Sequence, residues 1–152
     1  MADENGAEKS PPQEAAFTLD FDFPAEVVWR RIGGFADLDA WHPAVAGCQA
    51  ESEEIGALRQ VRMIDDSQNV ERLERLDAEE RVQVYSMVDP GPPFVSYVAT
   101  LEVSDLGENR SQARWSSEYE LVPEVPLEAF RENVKRFYRM GLEAARSALA
   151  EG

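Results

Sequence analysis

The sequence contains a single cysteine and a single histidine among its 152 residues. One cysteine excludes a disulfide within the chain, and one cysteine with one histidine falls short of the four ligands of a usual structural zinc site. Apolar runs of about 20 residues, which a membrane-spanning helix needs, are also missing. The N-terminus is acidic and polar, unlike the basic and then apolar start of a secretion signal. We therefore expect a cytoplasmic protein with no disulfide, no metal site and no insertion into a membrane.

Positive charge is scarce as well. Lysine and arginine together number 15 against 30 aspartate and glutamate residues, which gives a net charge of −15. Such a chain repels phosphate backbones, and no stripe of basic residues with interleaved aromatic residues offsets this repulsion. Nucleic acid is therefore not an expected partner.

The apolar content, 43% of the chain, is that of one compact domain with one core. Residues 1–14 are rich in Glu, Pro, Gly and Ser and show no hydrophobic periodicity, so they predict a disordered acidic tail. Residues 15–152 are predicted to form a single domain.

The hydrophobic pattern predicts one strand, two short helices, six further strands and a long helix, in that order. The first strand covers residues 15–21, a helix follows Pro24 and ends at Gly33, and "FADLDAW" forms a second short helix. Extended segments separated by turn sequences are predicted at residues 48–53, 58–64, 70–76, 81–88, 95–106 and 110–122. From Leu127 onward apolar residues recur every three or four positions, which predicts a helix about 35 Å long. Gly141 in this helix either is a tolerated defect or lets the helix approach the sheet.

This order of elements predicts an α+β protein with the helix-grip fold. In that fold a strongly curved antiparallel sheet of about seven strands wraps round the C-terminal helix. An internal cavity remains because the curvature of a sheet and the width of a helix seldom match. Cavities of this kind bind small ligands.

Several segments, quoted in order, also resemble a known superfamily: "PAEVVWRRIGGFADLDAWHPAV", "GALRQVRMI", "VERLERLD", "VYSMVD", "SYVATLEV" and "ARWSSEY". They resemble bacterial SRPBCC (START-like) proteins of the polyketide cyclase/dehydrase-like subgroup, and the plant lachrymatory-factor synthases. The similarity extends over about residues 17–149. It implies either a small cofactor-free enzyme of cyclase, dehydratase or isomerase type, or a non-catalytic carrier or sensor. In both cases a hydrophobic small molecule, lipid-like or polyketide-like, would be the ligand of a monomer or homodimer.

The resemblance also implies three catalytic residues. The plant synthases rely on an arginine in a motif like "ALR" and a glutamate in one like "ERL", which correspond to Arg59 and Glu71. A third motif of these synthases, "SYVAT", is matched at Tyr97. An arginine in an apolar pocket binds an oxyanion or polarises a carbonyl, and burial of a carboxylate favours proton transfer. Glu71 would then move a proton while Arg59 and Tyr97 hold the oxygen of the ligand.

Strand alternation puts Arg59 and Glu71 on one face of the sheet, although hydrophobicity does not decide whether that face points inward. With a three-residue loop at residues 65–67, Glu71 would pair with Val61 and lie diagonal to Arg59. The alternative to catalysis is a structural cross-strand ion pair, which on an outer face would contribute little.

Six further residues are candidates for ligand binding. Alternation places Trp115 inside together with Tyr97, and the resemblance implies that Trp41 lines the cavity. His42 is either a hydrogen-bonded turn residue or a residue of the cavity mouth that titrates near neutral pH; a catalytic pair with Cys48 stays open but unsupported. Phe94 follows the loop "DPGPP" and is a candidate gate of the cavity. The last two candidates, Tyr85 and Phe137, could equally be ordinary aromatic residues of the core. The plant synthases have phenylalanine in place of His42, so their substrate is not transferred to this chain.

Overall fold

The computed structural model describes residues 9–152 and shows seven strands and three helices in that range. All neighbouring strands are antiparallel and form one open sheet in the order β1-β7-β6-β5-β4-β3-β2. The elements are β1 (Gln13–Phe21), α1 (Ala25–Ile32), α2 (Leu38–Trp41), β2 (Val45–Ala50), β3 (Leu58–Met63), β4 (Gln68–Asp77), β5 (Val82–Met87), β6 (Phe94–Gly107), β7 (Arg110–Leu121) and α3 (Leu127–Ala150). The predicted α+β helix-grip architecture is thereby confirmed.

Helix α1 has the boundaries that the sequence predicts, whereas α2 ends as predicted but begins at Leu38, three residues later than the start of "FADLDAW". Helix α1 follows Pro24, whose fixed φ suits the start of a helix, and it ends at Gly33. Its buried face carries Val28 and Ile32, one helical turn apart. Helix α2 is a single turn that ends before Pro43, and strand β2 follows at Val45, three residues earlier than predicted.

Helix α3 covers the inner face of the sheet and closes the core. Buried residues alternate along β6 and β7, and α3 meets them with one buried stripe. The ring of Tyr138 on α3 stacks on that of Trp115 on β7, with centroids 4.6 Å apart. The stripe of α3 consists of Val134, Tyr138, Gly141, Leu142 and Ala145. None of the helices in residues 9–152 is long and apolar enough to cross a membrane.

The folded part begins earlier than the sequence predicts. Strand β1 starts at Gln13 and pairs that residue with Tyr119. Ser10 is buried, donates its backbone N–H to the Leu121 carbonyl at 2.6 Å and accepts the Leu121 N–H on its hydroxyl at 2.9 Å. Backbone pairing of this kind needs no apolar periodicity, so the predicted tail of residues 1–14 was too long. Residues 1–8 of that tail lie outside the described residues.

The register of the β3–β4 hairpin also differs from the prediction. Met63 donates its N–H to the carbonyl of Ser67, so the turn lies one residue earlier, and Asp66 takes the left-handed position with φ 70°. Arg59 therefore stands directly opposite Glu71, whereas the prediction paired Glu71 with Val61. The shift in pairing equals two residues, which leaves both side chains on the same, inward face.

Candidate functional site

A cavity of about 420 Å³ lies between the sheet and the N-terminal half of α3. Its apolar wall is largely aromatic, and its polar groups are few. The aromatic residues are Tyr85, Phe94, Tyr97, Phe130, Phe137 and Tyr138, and the polar ones are Asp65, Asn69, Glu71 and Asn133. A depression of about 440 Å³ on the other face of the sheet is lined by Glu14, Arg114, Glu118 and short side chains and has no aromatic wall. The cavity under α3 is therefore the candidate ligand site.

Arg59 and Glu71 form an ion pair at the inner end of this cavity. The side chains face each other across β3 and β4, and they are 2% and 5% exposed. The Nε and Nη2 groups of Arg59 both donate to Glu71 Oε1 at 2.8 Å, and Nη1 donates to the Phe35 carbonyl at 2.7 Å. Burial opposes the charge on the guanidinium, but the Glu71 carboxylate raises the pKa of Arg59 above its usual value.

Arg59 lies behind the cavity wall rather than in it. Its guanidinium carbon sits 4.4 Å from the ring centroid of Phe35 and 4.6 Å from that of Tyr85, so the group is held between two aromatic faces. Glu71 lines the cavity, whereas Arg59 does not. The hydrogen bonds of the described residues reach only Oε1 of Glu71, which leaves Oε2 available on the cavity side.

Three tyrosine hydroxyls meet beside this carboxylate. The hydroxyls of Tyr97 and Tyr138 hydrogen-bond to each other, and the Trp115 indole N–H donates to the hydroxyl of Tyr85 at 3.1 Å. Burial raises the pKa of all three tyrosines above the usual value, so each hydroxyl keeps its proton at neutral pH. Because Tyr97 and Tyr138 share one hydrogen bond, only one of their two protons is used in it.

His42 is a buried wedge between the sheet and α3, and the expectation of a titrating residue at the cavity mouth is wrong. The ring is 1% exposed, accepts the Ala44 N–H on Nδ1 at 3.1 Å, and donates from Nε2 to the carbonyl of Phe137 at 2.8 Å. Burial lowers the pKa of His42 to about 4. A second proton would also displace the Ala44 N–H from Nδ1, so the neutral ring fits this site.

Gly141 is what allows His42 to sit against α3. A Cβ atom at position 141 would lie 2.4 Å from His42 Cδ2 and 3.0 Å from Trp41 Cζ3. The ring of His42 stacks on Phe137, with centroids 4.0 Å apart, one helical turn before Gly141. Helix α3 and the Trp-His-Pro bend are thus in direct contact, and no cavity remains between them.

The predicted site residues fall into two groups. Glu71, Tyr85, Phe94, Tyr97 and Phe137 line the cavity. The other four do not: Arg59 lies behind Glu71, while Trp41, His42 and Trp115 pack together under the middle of α3. The close approach at Gly141 brings Trp41 and His42 against the helix, and the ligand-binding role expected for the three aromatic residues stays a prediction.

A catalytic pair of His42 and Cys48 is not formed. Both ring nitrogens of His42 are occupied by the backbone contacts described above. The Cys48 thiol lies 3.8 Å from the Phe35 carbonyl, and burial raises its pKa. Within residues 9–152, no three His, Cys, Asp or Glu side chains cluster in a way that could hold a metal ion.

Sequence reasoning missed Tyr138, the partner of Tyr97. The buried stripe of α3 passes through Val134, Tyr138 and Leu142, at spacings of four, rather than through Phe137. Two aromatic residues stand side by side at 137 and 138, and the strict four-residue spacing from Val134 was the signal that could have found Tyr138. Asn69, Phe130 and Asn133 were also missed as cavity residues. Phe130 belongs to the apolar pattern of α3, which predicts a buried face but not a cavity, and the two asparagines are polar residues without a local signal.

Comparison with known proteins identifies the family. A family model described as "Polyketide cyclase / dehydrase and lipid transport" matches residues 13–150. The chain belongs to this family. It is a ligand-binding protein of SRPBCC type, as the sequence motifs indicated. A search of curated proteins finds no match.

Solved structures share the fold of this family. XoxI from Bacillus cereus is 28% identical, with 89% of this chain and 94% of that chain covered and a TM-score of 0.80. The Zhui aromatase/cyclase from Streptomyces sp. R1128 is 17% identical, with coverages of 91% and 93% and a TM-score of 0.77. Norcoclaurine synthase from Thalictrum flavum, in complex with dopamine and hydroxybenzaldehyde, is 17% identical, with coverages of 93% and 88% and a TM-score of 0.73. The last two are similar in fold alone.

Proposed function

We propose that the protein is an enzyme that binds a hydrophobic carbonyl compound in the cavity and moves a proton on it with Glu71. The observation that carries this proposal is the single buried carboxylate on the cavity wall, held from behind by Arg59 through Oε1. Arg59 does not line the cavity and directs three of its five N–H groups at Glu71 and the Phe35 carbonyl, so its role is to position Glu71 rather than to hold an oxyanion.

The chemistry that fits this arrangement is enolisation. Glu71 Oε2 takes a proton from the carbon next to a carbonyl group, and the electrons of the broken C–H bond move onto the carbonyl oxygen. A tyrosine hydroxyl of the Tyr97–Tyr138 pair donates a hydrogen bond to that oxygen as its charge develops. Glu71 then returns the proton. Ring closure, dehydration and isomerisation of polyketide-like compounds all begin with this step, which needs no group besides the substrate and these side chains.

The alternative is a carrier that binds the same kind of molecule without turnover. The observation that favours it is the wall of six aromatic residues, which supplies apolar contact to any small hydrophobic ligand. The Arg59–Glu71 pair also has a structural use, because it joins β3 to β4 and anchors the segment that contains Phe35. The two functions differ in whether Glu71 exchanges protons with the ligand.

Hydrogen exchange into a simple ketone tests the proposal. Tetralone, a two-ring aromatic ketone, is incubated with the protein in D2O, and the uptake of deuterium next to the carbonyl is followed by NMR. We expect the wild type to speed this exchange and Glu71→Gln to return it to the buffer rate, since an amide cannot accept the proton. Glu74→Gln is the matched control, because Glu74 is an exposed glutamate on the same strand.

Binding of the ketone is measured in the same samples by calorimetry. A ketone that binds to the wild type without faster exchange would contradict proton transfer and support the carrier. Exchange that is equally fast in Glu71→Gln, per folded molecule, would remove Glu71 from the mechanism.

A further inference from the structure

The charged groups that residues 9–152 place on the cavity wall are acidic. They are Glu71 at the inner end and Asp65 at the outer end. Arg59, the nearest base, directs Nε and Nη2 at Glu71 and Nη1 at the Phe35 carbonyl, and aromatic rings cover both faces of its guanidinium. A ligand in the cavity therefore meets no positive charge that it could pair with.

Arg59 also decides which atom of Glu71 the ligand meets. Both of its donors converge on Oε1, and each distance is 2.8 Å. The other oxygen, Oε2, is a charged acceptor whose hydrogen-bonding capacity the described residues leave unused. Oε2 is not among the fully buried atoms that lack a partner, so it stays accessible. A ligand that covers this acceptor without a donor leaves it unpaired, which is costly, whereas a ligand hydroxyl group satisfies it.

The cavity has room for an aromatic ligand. A volume of about 420 Å³ accommodates one or two fused aromatic rings with a short substituent, and the aromatic wall suits them.

We propose that the cavity selects neutral one- or two-ring aromatic compounds whose hydroxyl group donates to Glu71 Oε2, and that it rejects carboxylates. This selectivity rests on the proposed function only in placing the ligand in this cavity, and it does not require turnover. The selectivity specifies the chemical class of the ligand. The ligand is a phenol, or an enol of similar shape, and not a fatty acid or another anion.

The same geometry predicts what happens when the carboxylate becomes an amide. In Glu71→Gln the two donors of Arg59 still require an oxygen at the position of Oε1. The amide nitrogen must then occupy the position of Oε2, which turns the cavity acceptor into a donor. The preference of the cavity for a hydroxyl group is expected to disappear, because the oxygen of a hydroxyl and that of an ether can both accept from the amide.

Three naphthalene probes of nearly equal shape, substituted at the same ring position, test the selectivity by calorimetry at neutral pH. Naphthol carries a donor, methoxynaphthalene carries only an acceptor, and naphthoate carries a negative charge. For the wild type we expect naphthol to bind about tenfold or more tightly than either of the others, because a hydrogen bond to a charged acceptor is worth that factor. In Glu71→Gln naphthol should lose this advantage and bind about as tightly as methoxynaphthalene, while Glu74→Gln should behave as the wild type.

The outcomes separate this inference from the proposed function. Equal binding of naphthol and methoxynaphthalene to the wild type, or tighter binding of naphthoate, would overturn the selectivity and leave the cavity as the ligand site. Absence of binding by all three probes would overturn both the ligand site and the selectivity. The wild-type series decides the question even if Glu71→Gln does not fold.

Discussion

Acid should destabilise this protein through His42 before most carboxylates are protonated. The pKa of His42 is about 4 in the folded protein, against about 6.5 in an unfolded chain. Between these two values the unfolded state binds more protons than the folded state, so stability falls as the pH falls below about 6.5. Above that range the histidine is neutral in both states and has no effect.

The size of the effect follows from the difference of about 2.5 pH units. At about 1.36 kcal/mol per unit the full loss is about 3 kcal/mol, and it is reached once the pH falls below the folded pKa. Most of it, about 2 kcal/mol, is lost between about pH 7.5 and about pH 5. That is a large share of the 5–15 kcal/mol that stabilises a domain of ordinary size.

Urea unfolding of the wild type and of His42→Gln at the two pH values measures this contribution. Glutamine does not titrate but can still donate to the carbonyl of Phe137, and every carboxylate titrates alike in both proteins. We expect the wild type to lose about 2 kcal/mol more than the variant on going from about pH 7.5 to about pH 5. Equal losses in the two proteins, or a wild type that gains stability in acid relative to the variant, would refute a buried neutral His42.

Two further predictions concern stability. Gly141→Ala should lower stability by about 1–3 kcal/mol, despite the better helix propensity of alanine, because its Cβ would lie 2.4 Å from His42 Cδ2. The same change should cost much less in a His42→Ala background, where the contact of 3.0 Å with Trp41 Cζ3 remains, and a loss of equal size there would contradict the steric role of His42. Removal of residues 1–8 should leave the Tm unchanged. Removal of residues 1–12 should lower the Tm by several degrees, because the two hydrogen bonds between Ser10 and Leu121 are lost. Equal Tm values for the two deletions would show that these hydrogen bonds do not contribute to stability.

The order of the elements was predictable because each boundary has a local cause. Pro24 starts α1, Gly33 ends it, and turn sequences separate the strands. The N-terminal boundary was not predictable in this way. Ser10 and Gln13 are ordered by pairing with β7, about a hundred residues further along the chain. Polar residues show no hydrophobic periodicity, so the sequence does not indicate this pairing.

The candidate site was predictable only in part. Alternation and motif resemblance brought Glu71, Tyr85 and Tyr97 to the cavity, since these depend on the face of a strand. The extent of the cavity depends instead on how closely α3 approaches each part of the sheet. That distance is set by the contact of Gly141 with His42, which joins residues about a hundred positions apart, so the sequence could not show that Trp41 and Trp115 lie outside the cavity.

The contact between Gly141 and His42 also has an evolutionary consequence. The ring at position 42 occupies the volume in which a side chain at position 141 would begin. Among descendants of a common ancestor with this fold, a larger residue at 141 can be accepted only after, or together with, a smaller residue at 42. The two positions should therefore change as a pair in related sequences, and a lineage that enlarges position 141 should lose the histidine first.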